Sequence, residues 1–400
     1  MESIRKALKP AAVSALLKVS LGRWLPAVAV ALALAPLHSM AQPAGYTIID
    51  LGTLGGSSSS ASHLNNSGQV AGTSRSAGSD FTHAFLYSNG VMRDLGAPRD
   101  AHSFATGINA SGQVSVMTNT VSAPFTSGAF MYSNGALRAL GTPGDNFVAA
   151  RGINDLGQVT GEVESGSPIA FQHAVVYSNG ALQYLGELPS GDQSMGLAIN
   201  NAGQVTGVSN GFGNRNVVHA YRYSNGSMLD LGTLGGANSQ GNDINGAGDV
   251  TGYANLAGVF TVHAFVYSNG VMHDLGSLGD GSSIGSGINN LGQVAGWAIV
   301  DVALKTTHGF LYTPGVGMVD LNTLLPAGSG WELSSASDVN DLGQIAGTGL
   351  FNGQPRAFLM TPVPESDVWV MMVAGIAVVS AVGRRRGGRE APRVRGVAAG

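Results

Sequence analysis

Short apolar runs recur along the chain at a nearly constant interval, and clusters of turn residues separate them. One segment reads AFLYSNGVMRDLG at residues 84–96 and returns in five further copies. Its tyrosines stand 44 to 46 residues apart, at Tyr87, Tyr132, Tyr177, Tyr223, Tyr267 and Tyr312. A second segment, INDLGQVTG at residues 153–161, alternates with the first and occurs seven times in related forms. Self-similarity at this period predicts an array of repeats, not two or three unrelated domains.

Each repeat predicts four short strands joined by tight turns. In the first segment two apolar runs flank an Asn-Gly pair, which is typical of a two-residue type I′ hairpin because both central residues need a positive φ. These pairs, with the tyrosines before them, are the structural repeat positions: Asn89-Gly90, Asn134-Gly135, Asn179-Gly180, Asn225-Gly226 and Asn269-Gly270. In the second segment, Asn154 can start a turn with its side chain and Gly157 can close it.

The strand pattern and the ends of the array predict a closed ring. The Ala-Phe-x-Tyr strand is apolar on both faces, which indicates a sheet packed between neighbours, as in the four-stranded blades of a β-propeller. The sequence YTIIDLG at residues 46–52 matches only the fourth strand of a repeat, and RAFLM at 356–360 matches only the third. If these two strands pair, seven blades close with no unpaired edge. We therefore predict an all-β, seven-bladed propeller over residues 42–362, with an open β-solenoid as the alternative.

The N-terminal 41 residues have the layout of a signal peptide. A basic stretch precedes an apolar run from Trp24 to Leu37, and small residues precede a cleavage site between Ala41 and Gln42. An uncleaved membrane anchor is the alternative, but the run is short for a span.

The C-terminus predicts a membrane helix and resembles a sorting signal. The apolar run from Val368 to Val382 precedes an arginine cluster, Arg384, Arg385 and Arg386, and positive charge favours the cytoplasmic side. A buried core helix is the alternative. With Val363, Pro364 and Glu365 before it, residues 363–386 resemble a PEP-CTERM signal, although Ser366 stands where the second proline is expected. The resemblance implies cleavage by an exosortase-type enzyme, and residues 387–400 are expected to be a disordered tail.

The repeats themselves resemble the HAF family of extracellular repeats, named for a His-Ala-Phe triplet. The triplet is intact at residues 83–85 and 263–265, and the histidine alone remains at His173, His219 and His308. Gly128 and Arg356 replace it in the other two copies. The resemblance covers residues 46–362, and it implies an extracellular location but no known activity.

Composition and charge limit the classes of partner that the chain is expected to bind. Hydrophobic residues make up 44% of the chain, enough for a sizeable core, and charged residues only 11%. Between residues 42 and 383, nine Lys and Arg stand against 22 Asp and Glu, so this region carries about −13. Such a charge would repel phosphate backbones, which argues against nucleic acid as a partner. The absence of cysteine means that packing and backbone pairing must hold the fold.

No residue set predicts a catalytic, metal or cofactor site. The repeated histidines suggest metal ligands, but we favour a structural role in which each ring bonds a backbone group between blades. The aspartates of the D-L-G motif are expected to act locally; they are Asp50, Asp94, Asp230, Asp274 and Asp320. Five acids are expected in variable loops, where two could form a carboxylate pair for glycoside chemistry: Asp145, Glu162, Glu164, Glu187 and Asp192. Neither a phosphate-binding loop nor a nucleophile motif is present in the sequence.

The sequence therefore predicts an exported protein of the cell surface or extracellular matrix of a Gram-negative-type bacterium, anchored transiently in the inner membrane. We expect a non-enzymatic binding, adhesion or structural module without a cofactor. Its expected partners are an exosortase-type processing enzyme and either extracellular polysaccharide or another surface protein. The alternative is a secreted polysaccharide hydrolase or lyase with its site at one mouth of the propeller.

Overall fold

The computed structural model describes residues 45–363, except residues 79, 99, 122–126, 142–146, 166–170 and 212–213. The predicted cleavage site between Ala41 and Gln42 lies outside the described residues. So do Pro364, Glu365, the apolar run and the arginine cluster of the predicted sorting signal.

Twenty-eight strands form seven antiparallel sheets of four strands each, which confirms the predicted seven-bladed β-propeller. The first strand of the chain is β1 Tyr46–Asp50, and blade one follows with β2 Gly55–Leu64, β3 Val70–Ser76, β4 Thr82–Ser88 and β5 Val91–Gly96. Blade two contains β6 Ala101–Ile108, β7 Val114–Thr120, β8 Ser127–Ser133 and β9 Ala136–Ala139; blade three contains β10 Phe147–Ile153, β11 Val159–Ser165, β12 Phe171–Ser178 and β13 Ala181–Tyr184; and blade four contains β14 Ser194–Ile199, β15 Val205–Gly211, β16 Asn214–Ser224 and β17 Ser227–Asp230. Blade five contains β18 Gly235–Ile244, β19 Val250–Leu256, β20 Val262–Ser268 and β21 Val271–Asp274; blade six contains β22 Ser283–Ile288, β23 Val294–Asp301, β24 Thr306–Thr313 and β25 Gly317–Asp320; and blade seven contains β26 Trp331–Val339, β27 Ile345–Phe351 and β28 Gln354–Pro362. A short 3-10 helix, Leu321–Leu324, follows β25.

Blade seven takes its fourth strand from the N-terminal end of the ring. β1 pairs antiparallel with β28, with Tyr46 opposite Pro362 and Asp50 opposite Phe358. The first strand of each blade is innermost, and each of these seven strands contacts its counterparts in the two neighbouring blades. The ring is therefore closed, as predicted, and the solenoid alternative is wrong.

The predicted turn chemistry is present in every copy that carries it. The asparagine of each Asn-Gly pair has a φ of 51° to 53°, and the following glycine has a φ of 81° to 87°, as a type I′ turn requires. Gly157 and its six counterparts also have a positive φ, from 72° to 86°. The side-chain oxygen of Asn154 accepts the backbone N–H groups of Leu156 and Gln158, which starts the turn as expected.

The hydrophobic core is divided into clusters that lie between adjacent blades. The cluster at the closure joins Leu64, Val70 and Phe85 of blade one to Ala346 and Leu359 of blade seven. Phe85 is fully buried, and its ring lies over the backbone of Gly72, where a Cβ atom would come within 2.7 Å of the ring. The position of the Phe85 ring in this cluster therefore requires glycine at residue 72 of the same blade.

Antiparallel topology sorts the connections onto two faces of the ring. On one face, which we call the turn face, the five-residue turns between first and second strands lie beside the turns between third and fourth strands. On the opposite face, which we call the loop face, connections of two to six residues join second to third strands. Connections of four to ten residues join successive blades on the same face. Length is thus nearly constant on the turn face and variable on the loop face.

Candidate functional site

Seven asparagines, one from each blade, form a closed circle of hydrogen bonds at the turn-face end of the central channel. Each side-chain Nδ2 donates to the backbone carbonyl oxygen of the equivalent asparagine in the next blade, at 2.9 to 3.2 Å. We call these residues the asparagine ring: Asn65, Asn109, Asn154, Asn200, Asn245, Asn289 and Asn340. The ring ties every blade to its neighbours.

Each ring asparagine also builds the turn in its own blade, which leaves no part of its amide unused. In blade four, Oδ1 of Asn200 accepts the N–H groups of Ala202 and Gln204 at 3.0 Å. Its Nδ2 donates to Oε1 of Gln204 at 2.7 Å in addition to the bond to the next blade. Because buried polar groups need partners, this satisfied network is part of the framework and not a ligand site. The sequence predicted the turn but not the bond between blades.

The residues that follow the ring asparagines line the mouth of the channel, a cavity of about 240 Å³. Five of the seven carry side-chain oxygens: Asn66, Asp155, Asn201, Asn290 and Asp341. Backbone N–H groups donate to these oxygens from the preceding blade, as that of Asn290 does to Asp341 at 2.8 Å. Ala110 and Gly246 have no such oxygen, so this second circle is interrupted at two places. Burial raises the pKa of Asp341, but hydrogen bonds from Asn290 and Asn66 outweigh it and hold the pKa below its usual value.

The seven blades differ at the position two residues before each ring asparagine. Three blades carry titratable side chains there, His63, Asp243 and Asp338, whereas four carry only glycine or alanine. Asp338 accepts the N–H of Leu64 in blade one at 2.8 Å, and Asp243 accepts the N–H of Ile288 in blade six at 2.8 Å. Nδ1 of His63 lies 3.8 Å from Oδ2 of Asp338. Sequence reasoning missed this group, although comparing the seven copies at this one position would have revealed it.

These three groups resist ionisation. Burial raises the pKa of Asp243, and burial together with the negative charge of Asp243 raises that of Asp338 well above its usual value. Backbone N–H bonds to both carboxyl groups oppose the shift without outweighing it. Although 37% of its side chain remains exposed within the channel, desolvation by the surrounding protein lowers the pKa of His63 to about 4. All three shifts follow from the cost of placing charge where water is scarce.

Blade three contains a second departure from symmetry, an ion pair between its first two strands. Nη2 of Arg151 contacts Oε1 of Glu162 at 2.7 Å, and Nε contacts Oε2 at 3.2 Å. The glutamate side chain is 2% exposed and the arginine 33%. Burial and the negative charge of Glu162 raise the pKa of Tyr221, whose hydroxyl donates to the carbonyl oxygen of Met195 at 3.1 Å.

The expected loop carboxylates occupy different settings. Glu162 and Glu164 lie in β11, so their assignment to a variable loop was wrong. The alternation of apolar and polar residues in the second segment continues past Gly161, and this places both glutamates in the strand. Glu187 contacts Nδ1 of His173 at 2.7 Å, and Asp192 accepts Nδ2 of Asn210 at 2.6 Å. Asp145 lies outside the described residues.

The repeat histidines pair with acids of their own blade. Nδ1 of each ring contacts a carboxylate on or beside the fourth strand, at 2.7 to 3.0 Å. The pairs are His83 with Asp94, His173 with Glu187, His219 with Asp230, His263 with Asp274, and His308 with Asp320. Our expectation of a bond to a backbone group between blades was wrong for these Nδ1 atoms. The local role of the aspartates is confirmed, since Asp94, for example, also accepts the N–H of Gly96 at 2.7 Å. In blade seven Arg356 replaces the histidine and lies 3.8 Å from Asp50.

Outside the channel, a buried serine forms hydrogen bonds that link most pairs of neighbouring blades. Oγ of Ser59 in blade one donates to the carbonyl oxygen of Gly52 at 2.6 Å and accepts the N–H of Ala357 in blade seven at 3.0 Å. Ser103, Ser194, Ser239 and Ser283 make the same two bonds at four other interfaces.

Exposed apolar side chains stand on the loop face of two adjacent blades. Val259 and Phe260 lie between β19 and β20 of blade five, and Val302 and Leu304 lie between β23 and β24 of blade six. Phe260 is fully exposed, and Val259, Val302 and Leu304 are 53%, 60% and 76% exposed. Such groups mark interaction surfaces more often than single exposed apolar residues do.

Two features are absent from the described residues, 45–363 with the gaps given above. No group of three or more His, Asp or Glu side chains there is arranged to hold a metal ion. Within the same residues, no helix has the length and apolar character needed to cross a membrane.

Comparison with known proteins finds similar solved structures at low sequence identity. No known protein family and no curated protein sequence matches the chain. The β-propeller domain of the Trilobed protease from Pyrococcus furiosus is similar at 8% identity and a TM-score of 0.46, over 64% of this chain and 82% of that one. A gluconolactonase from Xanthomonas campestris is similar at 11% identity and a TM-score of 0.36, over 66% and 90%. The Aleuria aurantia lectin, solved as a mutant with alpha-methyl-L-fucoside, is similar at 12% identity and a TM-score of 0.35, over 67% and 96%.

Proposed function

We propose that the chain is an exported, non-enzymatic protein of the cell surface or extracellular matrix, and that its loop face binds extracellular polysaccharide. The division between the two faces carries this proposal. The turns that carry the asparagine ring lie on the turn face and are nearly identical in every blade. Those on the loop face differ in length and sequence from blade to blade. Variable loops held by a rigid scaffold are where binding residues most often lie.

The chemistry of the loop face supports a neutral, polyhydroxylated partner. Phe260 and Leu304 offer apolar surface on neighbouring blades, and the two charged residues beside Leu304, Asp301 and Lys305, are opposite in sign. The acidic body of the chain disfavours anionic partners such as nucleic acid.

Export and processing belong to the same proposal. The signal peptide would deliver the propeller across the inner membrane, and the C-terminal signal would hold it there until an exosortase-type enzyme cleaves near Glu365. Mass spectrometry of extracellular material should then find a mature N-terminus at Gln42 and no peptides from the apolar run. Intact tail peptides in that material would contradict the proposal.

Binding by the loop face is tested with a glycan array and a pulldown of isolated matrix. We expect Phe260→Ala to weaken binding about tenfold, a change of about 1.4 kcal/mol. Leu156→Ala is the matched control, because Leu156 is 72% exposed but lies on the turn face, and it should bind like the wild type. Capture of a surface protein instead of polysaccharide would redirect the proposal. A chain that binds no envelope component would refute it.

One observation favours the enzymatic alternative, a polysaccharide hydrolase or lyase. Asp243 and Asp338 both line the mouth, and their charges interact, which is the kind of carboxyl pair that glycoside hydrolysis uses. Against this role, each of these carboxylates already accepts two backbone N–H groups, one of them from the next blade. Turnover on a polysaccharide panel that disappears in a folded Asp338→Asn variant would establish the alternative.

A further inference from the structure

Both ends of the propeller emerge together on the turn face. Tyr46 pairs with Pro362, and the N–H of Val363 donates to the carbonyl oxygen of Gly45 at 2.9 Å. In the other blades a turn joins the third strand to the fourth at this point, as Asn269-Gly270 does in blade five. The chain therefore leaves the ring from the face that carries the asparagine ring and not from the loop face.

A short segment separates this exit from the predicted membrane helix. Val363 is five residues before Val368, where the apolar run begins. A fully extended chain covers at most about 3.6 Å per residue, so the two residues can be no more than about 18 Å apart. The headgroup layer on one side of a bilayer is itself about 5 to 7 Å thick. When the run is in the membrane, the exit point must stay close to the lipid headgroups.

The turn face around the exit offers apolar side chains to such a surface. Leu291, Val316, Leu342 and Val363 belong to turns and strand ends of blades six and seven, and 42% to 64% of each is exposed. Leu342 belongs to the turn packed on the exit strand, since a Cβ atom at Gly343 would lie 3.3 Å from Cγ of Pro362. Exposed apolar side chains of this kind can enter the boundary between headgroups and acyl chains. The nearby carboxylate of Asp341 accepts hydrogen bonds from the amides of Asn66 and Asn290, which replace part of its hydration at such a surface.

We infer that, while the tail is attached, the propeller rests with its turn face on the lipid surface and its loop face directed away from the membrane. This inference rests on the anchoring that is part of the proposed function. It adds an orientation: the loops reach outward before release, and the mouth of the channel opens towards the bilayer.

The absence of cysteine in the chain makes the orientation measurable. The full chain is prepared with a single cysteine, either Leu342→Cys on the turn face or Leu304→Cys on the loop face, and labelled with the fluorophore NBD. Each protein is reconstituted into vesicles of phosphatidylcholine and phosphatidylglycerol, with and without brominated acyl chains, and flotation is measured in parallel. Both positions are exposed, at 64% and 76%, so labelling should disturb neither.

We expect both proteins to float with the vesicles, and brominated lipid to quench the label at position 342 at least threefold more than the label at 304. Flotation with equal quenching, or with stronger quenching at 304, would overturn the orientation and leave the anchoring intact. Failure of the full chain to float would overturn the anchoring, and the orientation with it.

Discussion

The side-chain amide of Asn340 donates a 3.0 Å hydrogen bond to the carbonyl oxygen of Asn65, which precedes it by 275 residues. The bond lies at the same interface at which Ser59 of blade one holds Gly52 and Ala357. Blade seven is therefore tied to blade one both beside the channel and further out. Its own sheet is completed by β1, so the closure depends on three independent sets of contacts.

Removing one asparagine of the ring should destabilise the whole propeller. Asn200→Ala leaves the N–H of Gln204 without its partner and removes the bond between blades to the carbonyl oxygen of Asn245, which keeps only the N–H of Gly248. An unsatisfied buried group costs about 1 to 3 kcal/mol and a lost hydrogen bond about 1 kcal/mol, so we expect the free energy of unfolding to fall by about 2 to 4 kcal/mol. Urea unfolding measures the change. The control is Asn201→Ala at the exposed mouth, which should cost less than about 1 kcal/mol; equal losses would contradict a special role for the ring.

Two serines of strand β2 should differ in their effect on stability, because only the side chain of Ser59 links two blades. Ser59 is 4% exposed, and Ser59→Ala would leave the N–H of Ala357 and the carbonyl oxygen of Gly52 without these hydrogen-bond partners. We expect a loss of about 1 to 3 kcal/mol, measured by thermal or urea unfolding. Ser57→Ala, at an exposed position of the same strand, should leave stability unchanged within about 0.5 kcal/mol. A similar loss in both variants would show that strand β2 is sensitive to any substitution.

Much of the fold could be predicted because it is encoded locally. Asn-Gly pairs specify type I′ turns wherever they occur, and the unmatched strands at residues 46–52 and 356–360 predict the closure. The contacts between blades could not be read in this way. That Asn65 reaches Asn109 depends on how far one blade rotates relative to the next, which no short segment specifies. The group of His63, Asp243 and Asp338 is visible in the sequence only when the seven copies are compared at this position, because its members are far apart in the chain.

Circular permutation should succeed at one kind of turn and fail at another. Because Gly45 and Val363 already contact each other, replacing them by a linking Asn-Gly pair should complete a seventh turn between third and fourth strands. New ends between Asn179 and Gly180 should then leave the thermal midpoint within a few degrees of that of the unpermuted propeller. New ends between Asn154 and Asp155 should lower it clearly, since they break the asparagine ring. Loss of the far-UV spectrum in the first permutant would contradict the proposed equivalence of the chain ends and a turn.

The raised pKa of Asp338 predicts a stability that falls as pH rises. Between the unfolded value of about 3.8 and the higher folded value, the folded protein holds one proton more than the unfolded chain. The free energy of unfolding should therefore decrease with rising pH in this window, by up to about 1.4 kcal/mol per pH unit. Asp338→Asn should lack this decrease.

His63 acts in the opposite direction, since its pKa is lowered from 6.5 to about 4 and its contribution grows with pH between these values. The measured quantity is therefore the difference between wild type and Asp338→Asn in urea unfolding from pH 4 to 8. Asp341→Asn is the control, because the pKa of Asp341 is lowered and its contribution is lost only below about pH 4. A difference that stays constant with pH for Asp338→Asn would refute the assignment.

Blade two differs from the others at residues that elsewhere touch one another. Gly128 stands in place of the histidine, and Ala139 stands in place of its aspartate partner. In blade three Tyr184 replaces the aspartate, and Glu187 supplies the carboxylate instead; in blade seven an arginine takes the histidine's place opposite Asp50. Both partners are thus absent in blade two, the carboxylate alone stands at another position in blade three, and an arginine pairs with the aspartate in blade seven. Seven copies within a single polypeptide therefore display correlated substitution, the signal of physical contact that is otherwise sought by comparing many separate proteins.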